Sequence, residues 1–262
     1  MIDLHSHVLY DIEGDDGSRS EAMSLELLRL AEVSGTETLF VTPHCHRRGV
    51  VPLWQSIIER TRQLQQKARA EGLSITLHTG AEVSLDGDTL NYLPGGGNRD
   101  YCLAGTAYIL VELLPTAAPE ETWNLLYQLQ LRGYLPILAH PERYRNLMEH
   151  PETVRQWVEK GIFLQSNLGS FTGEFGDRAQ NNVSWLQQHG LIHFLGSDAH
   201  RTSWRTTDTT EARKAISALP GGRQLLETSD AHARLLLQNK VFYPEVPAEP
   251  RKKKKSWWRR LF

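Results

Sequence analysis

His5 and His7 stand two residues apart at the end of the first apolar run, Ile2-Asp3-Leu4-His5-Ser6-His7. On a β-strand, residues i and i+2 point to the same face, so two imidazoles at this spacing can grip one metal ion. Later apolar runs close in the same way, on Thr42-Pro43-His44, Gly80-Ala81-Glu82, Val111-Glu112, Ala139-His140-Pro141 and Ser197-Asp198-Ala199-His200. With Asp16 these ends supply five histidines and four carboxylates: His5, His7, His44, His140, His200, Asp16, Glu82, Glu112 and Asp198. A single zinc-like site takes about four ligands, so this set implies two or three divalent ions bridged by a shared carboxylate. Mixed imidazole and carboxylate donors suit manganese, iron or zinc, and no thiolate is required. Clustered cations turn a bound water into hydroxide near neutral pH and clamp the oxygens of a phosphoryl group.

A phosphate substrate also needs fixed positive charge. Arg143, in His140-Pro141-Glu142-Arg143-Tyr144, and Arg205, soon after Asp198-Ala199-His200, lie on loops from which a guanidinium could fork onto phosphate oxygens. Arg145 and Arg201 are expected to be solvated. Asn167 reads either as a hydrogen-bonding group for substrate or metal-bound water, or as a loop cap. A thiol nucleophile is excluded by spacing: a cysteine phosphatase loop needs Arg six residues after Cys, and Cys45 leads to Val51 while Cys102 leads to Tyr108.

These residues need elements that bring them together. Strand-like segments fall at Ile2 to His5, Thr38 to Thr42, Ile75 to His78, Tyr108 to Glu112, Leu135 to Ala139, Ile162 to Gln165 and Ile192 to Leu195. Helical patterns lie between them at Ser20 to Val33, Leu53 to Ala70, Glu120 to Leu131, Pro151 to Lys160 and Asn181 to His189, each closed by a nearby glycine (Gly35, Gly72, Gly133, Gly161 and Gly190). Two shorter helical segments follow, at Thr207 to Ala218 and Ser229 to Gln238. Strand followed by helix, repeated, implies an α/β fold with a parallel sheet. A distorted (β/α)7 TIM-like barrel is favoured over an open sheet, because a barrel gathers all strand C-termini at one mouth, whereas an open sheet joins only those at its switch point. No glycine-rich phosphate loop or dinucleotide fingerprint follows a strand.

The 262 residues are 40% hydrophobic and 23% charged, ordinary for a soluble globular protein. No run approaches the ~18 to 20 apolar residues of a membrane span, and the first segment is strand-like instead of a leader, so a cytoplasmic protein is expected. Two cysteines are too few for a disulfide framework. Charge is uneven. The tail Arg251 to Phe262 holds seven cations and no acid, leaving 22 Lys and Arg against 31 acids in the body, a formal −9. Pro244, Pro247 and Pro250 mark a linker, which divides the chain into a barrel domain, 1–243, and a tail, 244–262.

In order and combination, the motifs Met1-Ile2-Asp3-Leu4-His5-Ser6-His7, Asp15-Asp16-Gly17, Thr42-Pro43-His44, Gly80-Ala81-Glu82, Glu112, Ala139-His140-Pro141-Glu142-Arg143-Tyr144 and Ser197-Asp198-Ala199-His200 make the chain resemble the polymerase and histidinol phosphatase (PHP) superfamily. Within it, the chain is similar to the bacterial manganese-dependent protein-tyrosine phosphatases of capsule and exopolysaccharide operons, the CpsB/YwqE type. The resemblance runs to about Tyr243. It implies a trinuclear site: His5, His7, Glu82 and Asp198 on the first metal, Glu82 bridging to a second completed by Glu112 and His140, and Asp16, His44 and His200 on the third. Arg143 and Arg205 would bind phosphate. The segment Asp11 to Gly17 is longer than the usual form, so Asp15 competes with Asp16 for the ligand role, and His46 reads as either a substrate-side or a surface residue.

The resemblance also implies a partner, a phosphorylated membrane tyrosine kinase of polysaccharide export. The tail's Lys252 to Lys255 with Trp257, Trp258 and Phe262 suits reversible binding to an anionic membrane surface at its inner face, at ~1 kcal/mol per basic residue. No nucleic acid is expected. The enzymatic alternative is a small-molecule phosphomonoesterase such as histidinol phosphatase. An amidohydrolase would commonly use lysine where Glu112 stands, and a nuclease-like PHP module would accompany a polymerase region. The non-enzymatic alternative, a degenerate barrel binding through its tail, predicts gaps in the ligand set.

Overall fold

The computed structural model describes residues 1–114, 117–243 and 246; the linker prolines and the tail lie outside them. Among the described residues there are nine strands and eight α-helices. The strands are β1 (Ile2–Asp3), β2 (Thr38–Val41), β3 (His44–Cys45), β4 (Thr76–Thr79), β5 (Glu82–Leu85), β6 (Tyr108–Leu113), β7 (Leu135–Ala139), β8 (Phe163–Asn167) and β9 (Phe194–Gly196). The helices are α1 (Glu21–Val33), α2 (Trp54–Ala70), α3 (Pro119–Leu131), α4 (Arg145–Met148), α5 (Pro151–Glu159), α6 (Gly176–Gln188), α7 (Thr210–Ala218) and α8 (Gly222–Leu237).

All strand pairings are parallel, in one sheet ordered β1-β2-β4 and another ordered β3-β5-β6-β7-β8-β9. The expected second and third strands appear as β2 and β4, and each is followed by a strand that was not expected: β3 after Thr42-Pro43, where Pro43 has no N–H to give a ladder, and β5 after Gly80-Ala81. Short strands do not mean loose ones. Beyond β1, the Leu4 N–H donates to Leu195 O at 3.1 Å and the His7 N–H to Ala199 O at 2.9 Å, while the Thr42 N–H donates to Ser6 O at 2.8 Å. The segment that carries both histidines is thus tied to β9 on one side and to the end of β2 on the other.

Local sequence explains the helices. The Ser20 hydroxyl accepts from the Met23 N–H at 3.2 Å and caps α1, and prolines open α3 and α5, where a missing N–H costs nothing. The five glycines expected to close helices have φ between 64° and 90°. Two helices begin earlier than their patterns imply: α6 at Gly176, not Asn181, and α8 at Gly222, not Ser229. Glycines at both starts mimic a turn signal and hide the first helical turns. Helix α7 starts three residues later than expected, at Thr210.

Strands present apolar residues on both faces, as parallel strands covered on both sides must. The larger core joins Leu39, Val41, Ile109, Val111, Leu138 and Leu164 to helix residues such as Leu28, Leu64, Leu126, Val158 and Leu186. A smaller core gathers Phe40, Tyr108, Ile137, Phe163 and Phe194. Phe242 packs on the rings of Tyr108, Phe163 and Phe194, the first residues of β6, β8 and β9. Glu112, His140 and Asp198 lie at or just past the opposite ends of β6, β7 and β9, and His44 and Glu82 open β3 and β5.

Candidate metal centre

The structure brings all nine candidate ligands together. Their donor atoms fall into overlapping groups in which every atom lies within 4.8 Å of the others: His5 with Glu82 and His140; His5 with His7 and Asp198; His7 with His44 and His200; His44 with Glu82 and Glu112; and Asp16 with Asp15 and His44. Glu82 occurs in two of these groups and is 1% exposed. Close packing requires small residues here. A side chain at Gly196 would bring its Cβ to 2.6 Å from Cβ of His5.

Hydrogen bonds to the far nitrogens set the imidazoles. His5 Nδ1 faces Gln165 Oε1 at 2.9 Å, and His7 Nδ1 faces Asp15 Oδ1 at 2.8 Å. Both partners are acceptors, so both Nδ1 atoms donate and both Nε2 atoms are turned to the cluster as the atoms that can bind a cation. Those two Nε2 atoms are 3.1 Å apart, each within 3.6 Å of a carboxylate oxygen of Glu82 and of Asp198. Two ring nitrogens facing each other in a buried, carboxylate-lined space fit a cation between them, which would displace any proton held there. His44 is arranged similarly, its Nδ1 2.9 Å from the same Asp15 oxygen. Asp15 therefore stands behind His7 and His44, whereas Asp16 Oδ1 faces His200 Nε2 at 3.1 Å. Gln165 in turn donates to Asn167 at 3.1 Å, and the Asn167 amide donates to Asp198 Oδ2 at 2.7 Å. Residues 165 and 167 share one face of β8, so one strand orients a histidine and an aspartate together.

Electrostatics reflect the crowding. Burial opposes charge on Glu82 and Asp198, but His5 and His140 around the first, and His5, Arg205 and Arg143 around the second, hold both carboxyls well below the usual range. Burial and the neighbouring Glu82 push Glu112 the other way, upward. Burial also opposes charge on His7, yet Asp15 and Glu82 raise it to about 10. Burial, then Arg143, lowers His140 to about 4, and burial, then His7, lowers His200 to about 4. His140 Nε2 is 2.7 Å from Glu82 Oε1, while its Nδ1 is buried without a partner.

Arg143 and Arg205 flank this cluster. Arg143 Nη1 donates to Asp198 Oδ2 at 2.8 Å, and Arg205 Nη2 lies 2.5 Å from Asp198 Oδ1. Both guanidiniums pack on Phe175, 4.7 and 5.5 Å from its ring centre. His140, Asp198 and Arg205 all have left-handed backbone, with φ of 35°, 53° and 46°. Non-glycine residues adopt this conformation at a cost and gather at functional sites.

A family model for capsular polysaccharide synthesis proteins of the CpsB/CapC type matches residues 1–236. The chain belongs to the CpsB/CapC family. It is 34% identical over 256 residues to the tyrosine-protein phosphatase YwqE of Bacillus subtilis, covering 97% of this chain and 98% of that protein. It is 25% identical over 247 residues to the tyrosine-protein phosphatase CpsB of Streptococcus pneumoniae, covering 92% and 100%. A crystal structure from work on YwqE and CpsB, described as unique metal-dependent tyrosine phosphatases, superposes with a TM-score of 0.83 at 32% identity, covering 95% of this chain and all of that one. The phosphotriesterase homology protein of Escherichia coli shares the fold at a TM-score of 0.52 and 12% identity, over 86% of this chain and 94% of that one.

Three residues of this CpsB/CapC member depart from expectation. Arg201 is not simply solvated: its Nη1 donates to the carbonyls of Asp16, Gly17 and His200, at 2.7, 2.5 and 2.7 Å, and so pins the Asp16 loop. His46 is 6% exposed and its Nε2 lies 2.9 Å from Asp86 Oδ1, so it is not a surface residue. Arg47, which nothing in the motif order singles out, reaches Asp16 Oδ2 and His44 Nε2 at 2.8 and 2.9 Å. Arg145 is exposed as expected, paired only with Glu149 at 2.9 Å. Asp3 was also silent in the sequence. Its Oδ1 accepts from the His5 and Ser197 N–H groups at 3.2 and 2.8 Å, tying β1 to the Asp198 loop, and burial raises its carboxyl to about 6.

Proposed function

We infer that this protein is a metal-dependent protein-tyrosine phosphatase whose substrate is a phosphotyrosine protein, a membrane tyrosine kinase of polysaccharide export. The observation that carries the reading is the pair of Nε2 atoms of His5 and His7, 3.1 Å apart and faced by Asp198, on which two arginines converge. His5, His7, Glu82 and Asp198 would hold a first metal, Glu112 and His140 a second shared through Glu82, and Asp16, His44 and His200 a third, with manganese the favoured ion. When bound, such ions supply a nucleophilic hydroxide at neutral pH and positive charge for the phosphoryl oxygens. The chain's own groups do the positioning. Arg143 and Arg205 fork onto non-bridging phosphate oxygens and hold the phosphorus in line over the cluster. Their shared anchor, Asp198, keeps both guanidiniums fixed before substrate arrives, so little reorganisation remains for the transition state.

The closed seven-strand barrel is the architecture this reading favours. Support comes from the parallel ladder and from the hydrogen bonds joining the segment after β1 to β9. Among the described residues no helix is long and apolar enough to cross a membrane. We place the protein in the cytoplasm, with the 244–262 tail as a separate segment that touches the inner face of the membrane. The test is stripping with a chelator and adding back Mn, Fe or Zn, with a phosphotyrosine peptide and histidinol phosphate as rival substrates. Metal-dependent turnover of the peptide is expected to exceed that of histidinol phosphate. Preference for histidinol phosphate, or turnover indifferent to metal, would overturn the reading.

A further inference from the structure

A cleft of about 460 Å³ opens beside the metal-ligand cluster, lined by Arg47, Arg48, Arg143 and Arg145, with Glu112 and His140 toward the cluster. Four cations against one carboxylate is a local reversal of sign in a body whose formal charge is −9. Two of the four are committed to the cluster: Arg143 holds Asp198, and Arg47 holds Asp16. The other two touch none of the candidate metal ligands. Arg48 projects from the tight turn between His46 and Val50, on a left-handed backbone with φ of 54°, and has no hydrogen bond or ion pair among the described residues. Arg145 is 67% exposed, and an exposed pair such as its contact with Glu149 exchanges partners readily. Neutralising the cluster therefore does not explain Arg48 and Arg145.

We propose that Arg48 and Arg145 select acidic side chains flanking the phosphotyrosine of a peptide substrate. The proposal rests on the tyrosine phosphatase reading. With phosphate on Arg143 and Arg205, this cleft, which Arg143 itself lines, gives the polypeptide beside the tyrosine a path away from the cluster. A groove of one charge sign with protein walls focuses its field and raises both the encounter rate and the selectivity for oppositely charged partners.

The experiment compares kcat/KM of the manganese-loaded protein for three phosphotyrosine peptides, flanked by Asp, by Ala or by Lys. The Asp-flanked peptide is expected to exceed the Ala-flanked one by roughly fivefold at low salt, with the ratio shrinking as salt is raised. The double variant R48E/R145E is expected to lose or invert that ratio. Because each ratio is taken within one preparation, partial unfolding of the variant cannot imitate the result. Equal use of all three peptides by the parent protein overturns the selectivity proposal alone. A preference for Asp that survives the double substitution overturns the assignment to these two arginines. No turnover of any peptide overturns the phosphatase reading and the selectivity with it.

Discussion

One carboxylate oxygen, Oδ1 of Asp15, accepts from the Nδ1 of His7, the Nδ1 of His44 and the His44 N–H, at 2.8, 2.9 and 3.0 Å. By accepting from both Nδ1 atoms it turns both Nε2 atoms toward the cluster, which makes it an orienting residue. Asp15→Asn keeps the shape but replaces a charged acceptor with an amide that has one oxygen and one donor. Loss of such a partner typically weakens metal binding by ~10 to 100-fold. That drop is the expected outcome for Asp15→Asn in a manganese titration against a competing chelator; unaltered affinity would remove Asp15 from the role. The neighbouring pair Asp15-Asp16 shows what a motif can and cannot convey. Residue type and spacing announced a ligand in this loop, but which carboxylate stands in front of the imidazoles and which behind is a matter of ångströms. Arg47 and Phe175 were silent, and Arg201 was expected to be solvated, for the same reason: each acts on a partner distant in the chain or in a loop whose path no periodicity describes.

Elements were easier to foresee than their ends. Strand and helix alternation follows from apolar runs and terminal glycines, and the strand ends announced themselves by ending in His, Asp or Glu. Strands β3 and β5, beyond Thr42-Pro43 and Gly80-Ala81, did not, because runs of two and four residues are too short to show a pattern of their own. The approach to β9 carries a pH prediction. His193 is buried; its Nδ1 accepts from the Leu164 N–H at 3.0 Å and its Nε2 has no partner. Burial, then His232, lowers its pKa from 6.5 to about 3. Between those values the unfolded chain binds a proton here and the folded chain does not, so stability is present above pH 6.5 and is lost as pH falls toward 3. One proton corresponds to a slope of about 1.4 kcal/mol per pH unit. In His193→Asn, stability relative to the parent should therefore improve as pH drops through this window, by up to that slope, in urea unfolding at a series of pH values. A constant difference between the two proteins would refute it.

At the scale of the whole molecule, the chain is an acidic body with a basic, aromatic end. Removing Arg251 to Phe262 should abolish sedimentation with vesicles of anionic lipid while leaving manganese-dependent peptide turnover intact; undiminished sedimentation would sink membrane binding by the tail. The described chain approaches that tail from a definite side. Phe242 is packed against the first residues of β6, β8 and β9, whereas Glu112, His140 and Asp198 lie at or just past the last residues of β6, β7 and β9. An enzyme tethered from that side would stand on the lipid like a cup on its base, opening toward the cell interior. Phosphotyrosines held flat against the membrane would be out of its reach, and those carried on long, slack segments hanging from a kinase would swing directly into it.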